Sequence, residues 1–370
     1  MLEPEQLARI RLLRSERIGP ISFAQLMMRF GSALAAVDAL PDLVQRAGGR
    51  KLRIATLAQA EAEARKVADL SARYLFADDR EYPALLGHID NAPPILIIKG
   101  EAALLSRPAV AMVGARNASA AACRFARQIA GELAQAGYLV VSGLARGIDT
   151  AAHHGAPQIA GDGIGSTAGV IASGLDISYP PENRDLQAEM GRRALVIAEQ
   201  PPGTEPLARH FPYRNRIIAG MALGTLVVEA APKSGSLITA RLAAEAGRDV
   251  MAIPGSPLDS RSRGCNELIR GGATLVQSVG DIIELIAPFA GSQMQRVAAP
   301  VQAYATQPRL TEPDASARHV IEDLLGHSPV AIDELVRQSG VDSGAVQMIL
   351  LDLELAGKIE RHAAAKVSLV

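Results

Sequence analysis

Short, continuously apolar segments alternate with helix-like segments between about residue 94 and residue 289. A strand that is buried on both faces is apolar throughout, so this order predicts a parallel sheet covered by helices on both sides. The sequence therefore predicts a doubly wound α/β domain over residues 81–289, of which Ala118–Ala136 and Leu237–Ala246 are two of the helices. The predicted strands are Ile95–Ile98, Val110–Val113, Leu139–Val141, Gly169–Ala172, Leu195–Ala198, Leu226–Val228, Val250–Ile253 and Leu275–Val276.

Residues 1–80 have apolar residues at helical spacing, with Leu7 and Ile10 in one run and Leu26 and Phe30 in the next. The turn Arg17-Ile18-Gly19-Pro20 separates the two runs. It is similar to the turn of a helix–hairpin–helix or SAM-like module, whose hairpin amides can contact a DNA backbone. A small helical packing domain is the alternative interpretation.

The C-terminal part of the chain predicts a winged helix over residues 314–370. Residues 290–313, which precede it, have no periodicity and are interpreted as a linker. The predicted helices and strands of the winged helix are Ala317–Leu325, Ile332–Arg337, Val346–Leu355, Lys358–Glu360 and Lys366–Leu369.

Charge separates this winged helix from those that read DNA. Residues 314–370 contain five basic and nine acidic residues, whereas residues 1–80 contain thirteen basic and ten acidic ones. The third helix itself carries Asp352 and Glu354. Because these carboxylates would repel phosphates, the sequence favours protein contact or packing for this domain, with little strand affinity of its own.

Composition and the N-terminus indicate a cytoplasmic protein that does not enter a membrane. Met1–Arg17 contains no apolar run, and nowhere do 18 uninterrupted apolar residues occur. Cys123 and Cys265 lack CxxC spacing, which fits a reducing compartment and provides no metal framework. Aromatic residues are scarce, and Trp is absent, so an aromatic residue beside arginine is informative.

Ligands of an open parallel sheet bind beyond the carboxyl ends of its strands, so the loops that follow the strands contain the candidate site. After Val110–Val113, Gly114 permits a tight turn, Arg116 offers a positive charge and Ser119 is a plausible helix cap. This loop is not a GxGxxG fingerprint. The glycine-rich string at 161–165 precedes a strand, so we interpret it as a loop and not as a dinucleotide motif.

The loop Ser142–Asp149 follows the next strand and leads into a helix that contains His153. Asp149 and His153 are four residues apart and could form a metal pair, although no third ligand is near. The simpler interpretation is that Asp149 caps the helix.

Two further segments combine cations with aromatic or hydroxyl groups. His210–Arg216 places Phe211 and Tyr213 beside Arg214 and Arg216, a combination that suits phosphate binding and base stacking, or a salt-bridged, partly buried helix start. Lys233 and the loop Ser234-Gly235-Ser236 precede a helix and resemble an anion cradle without the Walker A pattern. Glu199 and Glu229 lie at strand ends and could be catalytic or could orient the arginines.

In this order, the loops resemble those of the DNA-processing protein A family, also called DprA or Smf. The resemblance covers roughly residues 85–285. It is carried by the strings VGAR at 113–116, SGLARGID at 142–149, SGLD at 173–176, YPPEN at 179–183, EQPPG at 199–203, FPYRNRIIAG at 211–220, EA at 229–230, SGSLITA at 234–240, IPG at 253–255 and GCNELI at 264–269.

The resemblance implies a Rossmann-like core that binds single-stranded DNA without catalysis and without a cofactor. It also implies a homodimer formed through that core and delivery of the strand to RecA during transformation or recombination. The family's strand-binding arginine corresponds to Arg116 and its RNR segment to Arg214–Arg216, while Arg184 could replace a lysine that the family often has where this chain has Pro181. The predicted strand-binding residues are Gly114, Arg116, Ser119, Ser142, Gly143, Arg146, Arg184, Phe211, Arg214, Asn215, Arg216, Lys233, Ser234, Gly235 and Ser236.

An enzyme is the competing class, because lysine decarboxylase-like phosphoribohydrolases belong to the same broad superfamily. Their PGGxGTxxE loop has a partial counterpart in Gly224-Thr225 and Glu229, without the Pro-Gly-Gly. Nucleotide binding or hydrolysis is therefore the alternative function, and a scaffold for recombination proteins is a third.

The predicted dimer surface lies near Leu268 and Ile269, just before the last strand, Leu275–Val276. A bare edge strand invites pairing, and these two apolar side chains could meet their own copies across a twofold axis. Packing under the sheet is the alternative.

Overall fold

The structure is a computed structural model that describes residues 2–49, 52–156, 165–296, 315–362 and 365–370. The chain forms two compact units: Met1–Ala64 with Gln302–Val370, and Arg65–Val301. Most of the glycine-rich string at 161–165 lies outside the described residues. Within the described ranges, every helix is too short or too polar to cross a membrane.

The chain begins with the predicted helical segment, and its local sequence explains the helix ends. Proline occupies the first helical position of the first two helices, where its missing N–H is not needed. Gly31, at φ 73°, ends the second helix, and Ser32 caps the third by accepting a hydrogen bond from the Ala35 amide. The helices are α1 (Pro4–Arg14), α2 (Pro20–Phe30), α3 (Ala33–Arg46) and α4 (Leu57–Asp69).

The second unit contains the predicted α/β sheet. All the predicted strands form, and a further strand at residues 73–76 was not predicted because it lies within the segment assigned to the helical module. This extra strand pairs antiparallel with the strand at 95–100, with Tyr74 opposite Ile97. The strands are β1 (Arg73–Phe76), β2 (Ile95–Gly100), β3 (Ala109–Gly114), β4 (Leu139–Ser142), β5 (Thr167–Ile171), β6 (Leu195–Ala198), β7 (Gly224–Val228), β8 (Asp249–Ala252) and β9 (Thr274–Leu275).

Helices cover both faces of this sheet, as predicted. Ile217, Ala240 and Cys265 pack into the apolar cluster on one face, whereas Ile129 and Ile282 pack on the other. The last helix continues through Arg296, so residues 290–296 of the predicted linker are helical, while residues 297–313 lie outside the described ranges. The helices are α5 (Ala120–Gln135), α6 (Ile148–Gly155), α7 (Arg184–Arg193), α8 (His210–Met221), α9 (Gly235–Glu245), α10 (Arg263–Arg270) and α11 (Val279–Arg296).

The strand order of the sheet is β1-β2-β6-β5-β4-β3-β7-β8-β9. The strands from β6 to β9 in this order pair in parallel, while β2 pairs antiparallel with β6. From β3 the chain proceeds through β4 and β5 to β6, and from β7 it proceeds in the opposite direction to β9. The direction therefore reverses between β3 and β7, and at such a switch point the loops diverge and leave a crevice at the carboxyl ends of the strands.

The C-terminal residues form the predicted winged helix. Its strands form a small antiparallel sheet in the order β10-β12-β11, and Asp342 caps the third helix by accepting hydrogen bonds from the Gly344 and Ala345 amides. Strand β10 was not predicted, because two residues are too few to show periodicity. The elements are α12 (Ala315–Leu324), β10 (Val330–Ala331), α13 (Ile332–Ser339), α14 (Ser343–Leu355), β11 (Ile359–His362) and β12 (Lys366–Leu369).

Candidate nucleic-acid interface

Strand β3 ends at the switch point with Gly114, and the exposed Arg116 follows two residues later. A Cβ atom on Gly114 would lie 2.7 Å from the carbonyl oxygen of Val228 at the end of β7. The next amide, of Ala115, donates a hydrogen bond of 2.7 Å to the carbonyl oxygen of Glu229. The two strand ends are thus held together closely enough to require glycine, and Arg116 lies at the mouth of the crevice.

Arginines and aromatic rings meet around Phe211, at the start of α8. The guanidinium carbon of Arg116 lies 5.3 Å from the centre of the Phe211 ring, and that of Arg214 lies 5.9 Å from it. The ring of Tyr179 meets Phe211 edge-on, with 5.7 Å between the ring centres. These distances allow cation–π attraction and a favourable edge-to-face contact. We refer to Arg116, Tyr179, Phe211 and Arg214 as the arginine–aromatic cluster.

Arg214 is buried, with 6% of its surface exposed, although it carries a charge. Gly143 makes room for it, because a Cβ atom at that position would lie 1.4 Å from Nη1 of Arg214. Burial lowers the pKa of Arg214 to about 10, while Asp149 opposes that decrease and Arg116 adds to it. Arg214 therefore remains a cation at neutral pH. Its Nε has no hydrogen-bond partner within the described part of the chain.

Asp149 is the buried carboxylate beside Arg214, and the predicted role of Asp149 as a helix cap is wrong. The N-cap of α6 is Gly147, whose φ of 75° turns the chain, so Asp149 is the second helical residue. Its Oδ2 instead accepts hydrogen bonds from the amides of Gly143, at 3.1 Å, and Ala145, at 3.3 Å. Burial raises the pKa of Asp149, and Arg214 opposes that rise. Asp149 thus positions the loop and balances the buried arginine.

His153, the other half of the predicted metal pair, lies in the core. Its Nδ1 is 2.8 Å from the hydroxyl of Thr167, which donates in turn to the carbonyl oxygen of Val140. Burial lowers the pKa of His153 to about 3, so the ring is neutral at physiological pH. Among the residues that the structure describes, no three His, Cys, Asp or Glu side chains converge on a metal position.

Arg216 lies on a different face of α8 from Arg214, because residues two apart on a helix do not face each other. It is 4% exposed and forms a 2.5 Å ion pair with Glu199 at the end of β6. Asn215, between the two arginines, is half-buried. The structure therefore brings Arg214 into the cluster and places Arg216 in the salt-bridged arrangement that was the alternative.

Glu229 connects β7 to the start of α5. It adopts a left-handed φ of 64°, and its Oε2 accepts a 2.7 Å hydrogen bond from the Ser119 amide. Ser119 caps α5, as predicted, by accepting from the Ala122 amide. Since Glu199 binds Arg216, both carboxylates that the sequence offered as catalytic candidates bond to groups of the protein itself.

The loop Lys233–Ser236 follows β7, on the other side of the switch point from Arg116. Ser234 caps α9, and its hydroxyl lies 2.8 Å from that of Ser236. A Cβ atom on Gly235 would meet nothing within 4 Å, so the loop is open at this position, whereas Ser236 is buried. Lys233 is exposed. The loop presents a positive charge beside a capped helix start, an arrangement that favours anions.

The remaining predicted residues divide between structure and surface. Ser142 is buried, and its hydroxyl donates a 2.6 Å hydrogen bond to the carbonyl oxygen of Met112, which ties β4 to β3. Arg146 is exposed, with Nη1 3.9 Å from Glu182. Arg184 is the exposed first residue of α7. Ser142 thus supports the fold, whereas the two arginines are available at the surface.

Three residues of the site were missing from the predicted set: Tyr179, Asn183 and Asp149. The side-chain amide of Asn183 donates to the carbonyl oxygen of Leu144 and to the hydroxyl of Thr150, both at 2.9 Å, and so holds the β4–α6 loop. Tyr179 and Asn183 both lie in the YPPEN string. An aromatic residue in a chain that has few of them was the available signal for Tyr179.

The predicted dimer residues lie on α10. Leu268 and Ile269 are half-buried and pack against the apolar cluster beneath the sheet, as the alternative interpretation expected. In β9, the last strand in the sheet order, Leu275 is 44% exposed.

Three family profiles match successive parts of the chain. Residues 73–287 match the family profile "DNA recombination-mediator protein A", residues 3–65 match "DprA-like N-terminal HHH domain", and residues 305–365 match "DprA winged helix domain". The DNA processing protein DprA of Streptococcus pneumoniae is 48% identical over 202 residues, which is 55% of this chain and 70% of that protein.

Two solved structures have the same fold. An X-ray structure of the S. pneumoniae protein aligns with a TM-score of 0.63 at 36% identity and covers 77% of this chain and 98% of its own. A structure of DNA processing protein A from Helicobacter pylori, which concerns the single-stranded DNA binding mode of that protein, aligns with a TM-score of 0.52 at 26% identity. It covers 59% of this chain and 97% of its own.

Proposed function

The chain belongs to the DNA recombination-mediator protein A family, and from that premise we propose that its α/β core binds single-stranded DNA at the arginine–aromatic cluster and delivers the strand to RecA. The observation that carries the proposal is the convergence of Arg116 and Arg214 on the Phe211 ring at the switch point of the sheet. The H. pylori relative, whose structure concerns single-stranded DNA binding, supports the choice of ligand.

The chemistry of the cluster suits an unpaired strand. The exposed Arg116 offers a planar fork of donors to phosphate oxygens. The buried Arg214 adds a second positive charge beside the same Phe211 ring. Phe211 and the 43% exposed Tyr179 offer ring surface on which bases can stack. Bases in a duplex are already stacked on one another, so we expect duplex DNA to bind more weakly.

We propose binding without catalysis. The two carboxylates that the sequence offers as catalytic candidates are already engaged, Glu199 with Arg216 and Glu229 with the Ser119 amide. A general acid or base must reach a proton on the substrate, and these contacts direct both groups toward the protein. Incubation with nucleoside monophosphates tests the alternative, in which free base would be released.

We also propose that the core forms a homodimer, through the β9 edge and the neighbouring α10. Leu275 is exposed on that edge, and a short edge strand leaves backbone groups open to pairing. A dimer would carry two crevices and so raise the avidity for a long strand. Light scattering at micromolar concentration, with Leu268→Arg as the variant, tests this: a monomeric parent refutes it, and a dimeric variant moves the interface elsewhere.

The decisive test of strand binding is a titration of fluorescent oligothymidylate at several salt concentrations. Arg116→Ala is expected to weaken binding and to reduce the salt slope by about one released counterion, because one phosphate contact is lost. Arg192→Ala is the matched control, since Arg192 is an exposed arginine in the last turn of α7, just before the amino end of β6 and therefore at the opposite edge of the sheet. Equal affinity for duplex and single strand, or an unchanged slope in Arg116→Ala, would contradict the proposal.

A further inference from the structure

Two elements of the first unit that correspond to the DNA-contact elements of other proteins with these motifs pack against each other. Helix–hairpin–helix modules contact DNA through the turn between their helices, and helix-turn-helix domains insert a recognition helix into the major groove. Here those elements are the turn Arg17–Pro20 and the helix α14. Leu351 and Leu355 of α14 belong to the same buried cluster as Leu26 of α2 and Leu40 of α3. Segments more than 300 residues apart in sequence thus share one core.

The C-terminal end of α14 contacts the turn Arg17–Pro20 through the side chain of Arg17. Nη1 of Arg17 donates a 3.1 Å hydrogen bond to the carbonyl oxygen of Leu355, the last residue of the helix. That carbonyl lacks a partner within its own helix, and a cation there is favoured by the helix dipole. A Cβ atom on Gly357 would lie 2.6 Å from the guanidinium carbon of Arg17, so glycine permits this approach. Arg17 is the one cation of the turn Arg17–Pro20, and its side chain therefore binds the C-terminal end of α14.

The acidic residues of α14 face partners on α2. Arg29 pairs with Asp352 at 3.0 Å, and their side chains are 13% and 15% exposed. The hydroxyl of Ser22 donates to Glu354 at 3.0 Å, and the amide of Gln25 donates to Gln347 at 2.8 Å. The carboxylates that would repel a DNA phosphate are thus matched, one by one, to donors of the N-terminal helices.

The strand β11 reinforces the same contact. Nε of Arg361 donates a 2.8 Å hydrogen bond to Oε2 of Glu354, and Nη2 of Arg361 donates one of 3.3 Å to Oε1 of Gln25. Arg361 thus bonds both to α14 and to α2, so that side chains from α2, α14 and β11 form one partly buried polar network. Such a network specifies one arrangement of its elements, because each group left without a partner would be costly.

We propose that the N-terminal helical module is the protein partner of the third helix of the winged helix, so that the two modules form one composite domain in which each covers the DNA-contact element of the other. In this state neither the hairpin nor α14 can reach a duplex. The winged helix acts by holding the N-terminal module. The composite domain does not depend on strand binding by the α/β core.

Charge reversal in the full chain tests the contact. Asp352→Arg places a second arginine against Arg29, and the backbone amides of α2 and α14 are expected to exchange with deuterium about tenfold faster, because a partly buried ion pair has been replaced by repulsion. Addition of Arg29→Asp reverses the pair and is expected to restore slow exchange. Asp323→Arg, on the exposed surface of α12, is the control with the same change of charge. Unchanged exchange in Asp352→Arg, or no recovery in the double variant, would overturn the proposal.

A second readout tests whether the contact masks DNA binding. Asp352→Arg is expected to bind duplex more tightly than Asp323→Arg, with the gain lost in the double variant; equal duplex binding by the two single variants would overturn the masking. Arg17→Ala is a milder variant in case Asp352→Arg does not fold. It is expected to speed the deuterium exchange of the backbone amides in the last turn of α14 alone, and unchanged exchange there would contradict the proposal. Oligothymidylate binding by the core, measured on the same samples, should not change, so a failure of Arg116→Ala and a failure of this contact are separate results.

Discussion

Gly143→Ala is the smallest change that tests how the site is built. The added methyl group would lie 1.4 Å from Nη1 of Arg214, 2.5 Å from its Cζ and 2.8 Å from Oδ2 of Asp149. Gly143 has no positive φ, so alanine fits the backbone itself, and the effect comes from the side chains that must move. Arg214 has to leave its position beneath Phe211.

The size of the effect follows from two contributions. Overpacking of a buried site typically costs about 1–3 kcal/mol, which we expect as a decrease in the free energy of unfolding. A charge-assisted hydrogen bond is worth about 1.5–3 kcal/mol, so displacement of the Arg214 cation should weaken oligothymidylate binding by roughly ten- to a hundredfold. Urea unfolding and fluorescence anisotropy measure the two quantities separately.

Gly280→Ala is the matched control, because it adds the same methyl group at an exposed position in the first turn of α11, outside the predicted binding residues, where the nearest atom, the hydroxyl oxygen of Ser278, would lie at 3.4 Å. It should change neither quantity by more than the measurement error. The reasoning is refuted if Gly143→Ala folds and binds like the parent, or if Gly280→Ala loses as much affinity.

Two other predictions separate structural residues from binding residues. Glu199→Gln leaves the buried Arg216 without a counter-charge, so the free energy of unfolding should fall by about 3 kcal/mol while the folded protein keeps its strand affinity; a loss of affinity without a loss of stability would instead make Arg216 a binding residue. Burial lowers the pKa of His153 from 6.5 to about 3 in the folded protein. As the pH falls below 6.5, the unfolded chain is therefore protonated first, and the free energy of unfolding decreases from the full value that it has above pH 6.5. From about pH 6.5 to about pH 5.5 we expect a loss of about 1 kcal/mol in urea unfolding, which His153→Gln should abolish; equal pH dependence in parent and variant would contradict this assignment.

The sequence predicted the parts of the fold that depend on local pattern. Apolar runs located the strands from β2 to β9, and their alternation with helices predicted the sheet and hence the crevice where Arg116 lies. Strand β1 was not predicted, because a four-residue strand with exposed Arg73 has little hydrophobic pattern of its own. Its pairing with β2 stabilises it.

The site was harder to predict where burial decides the role of a charge. Arg214 and Arg216 look equivalent in sequence, and the phase of α8 sends one to the cluster and the other to Glu199. Asp149 was interpreted as a cap, because Gly147, the true cap, has no side-chain signal. The acidic residues of the third helix of the winged helix did indicate protein contact. The sequence could not show that α2 is the partner, because the two helices lie more than 300 residues apart in the chain.

The most direct test of the account is to locate the strand on the protein. Ultraviolet cross-linking of an oligothymidylate that contains bromodeoxyuridine, followed by mass spectrometry of the full-length chain, identifies the peptide that touches a base. The account predicts cross-links to Phe211 or Tyr179, the rings of the arginine–aromatic cluster. Cross-links confined to residues 2–49 or 315–370 would contradict it, because the strand would then lie on the composite domain and not at the switch point of the sheet.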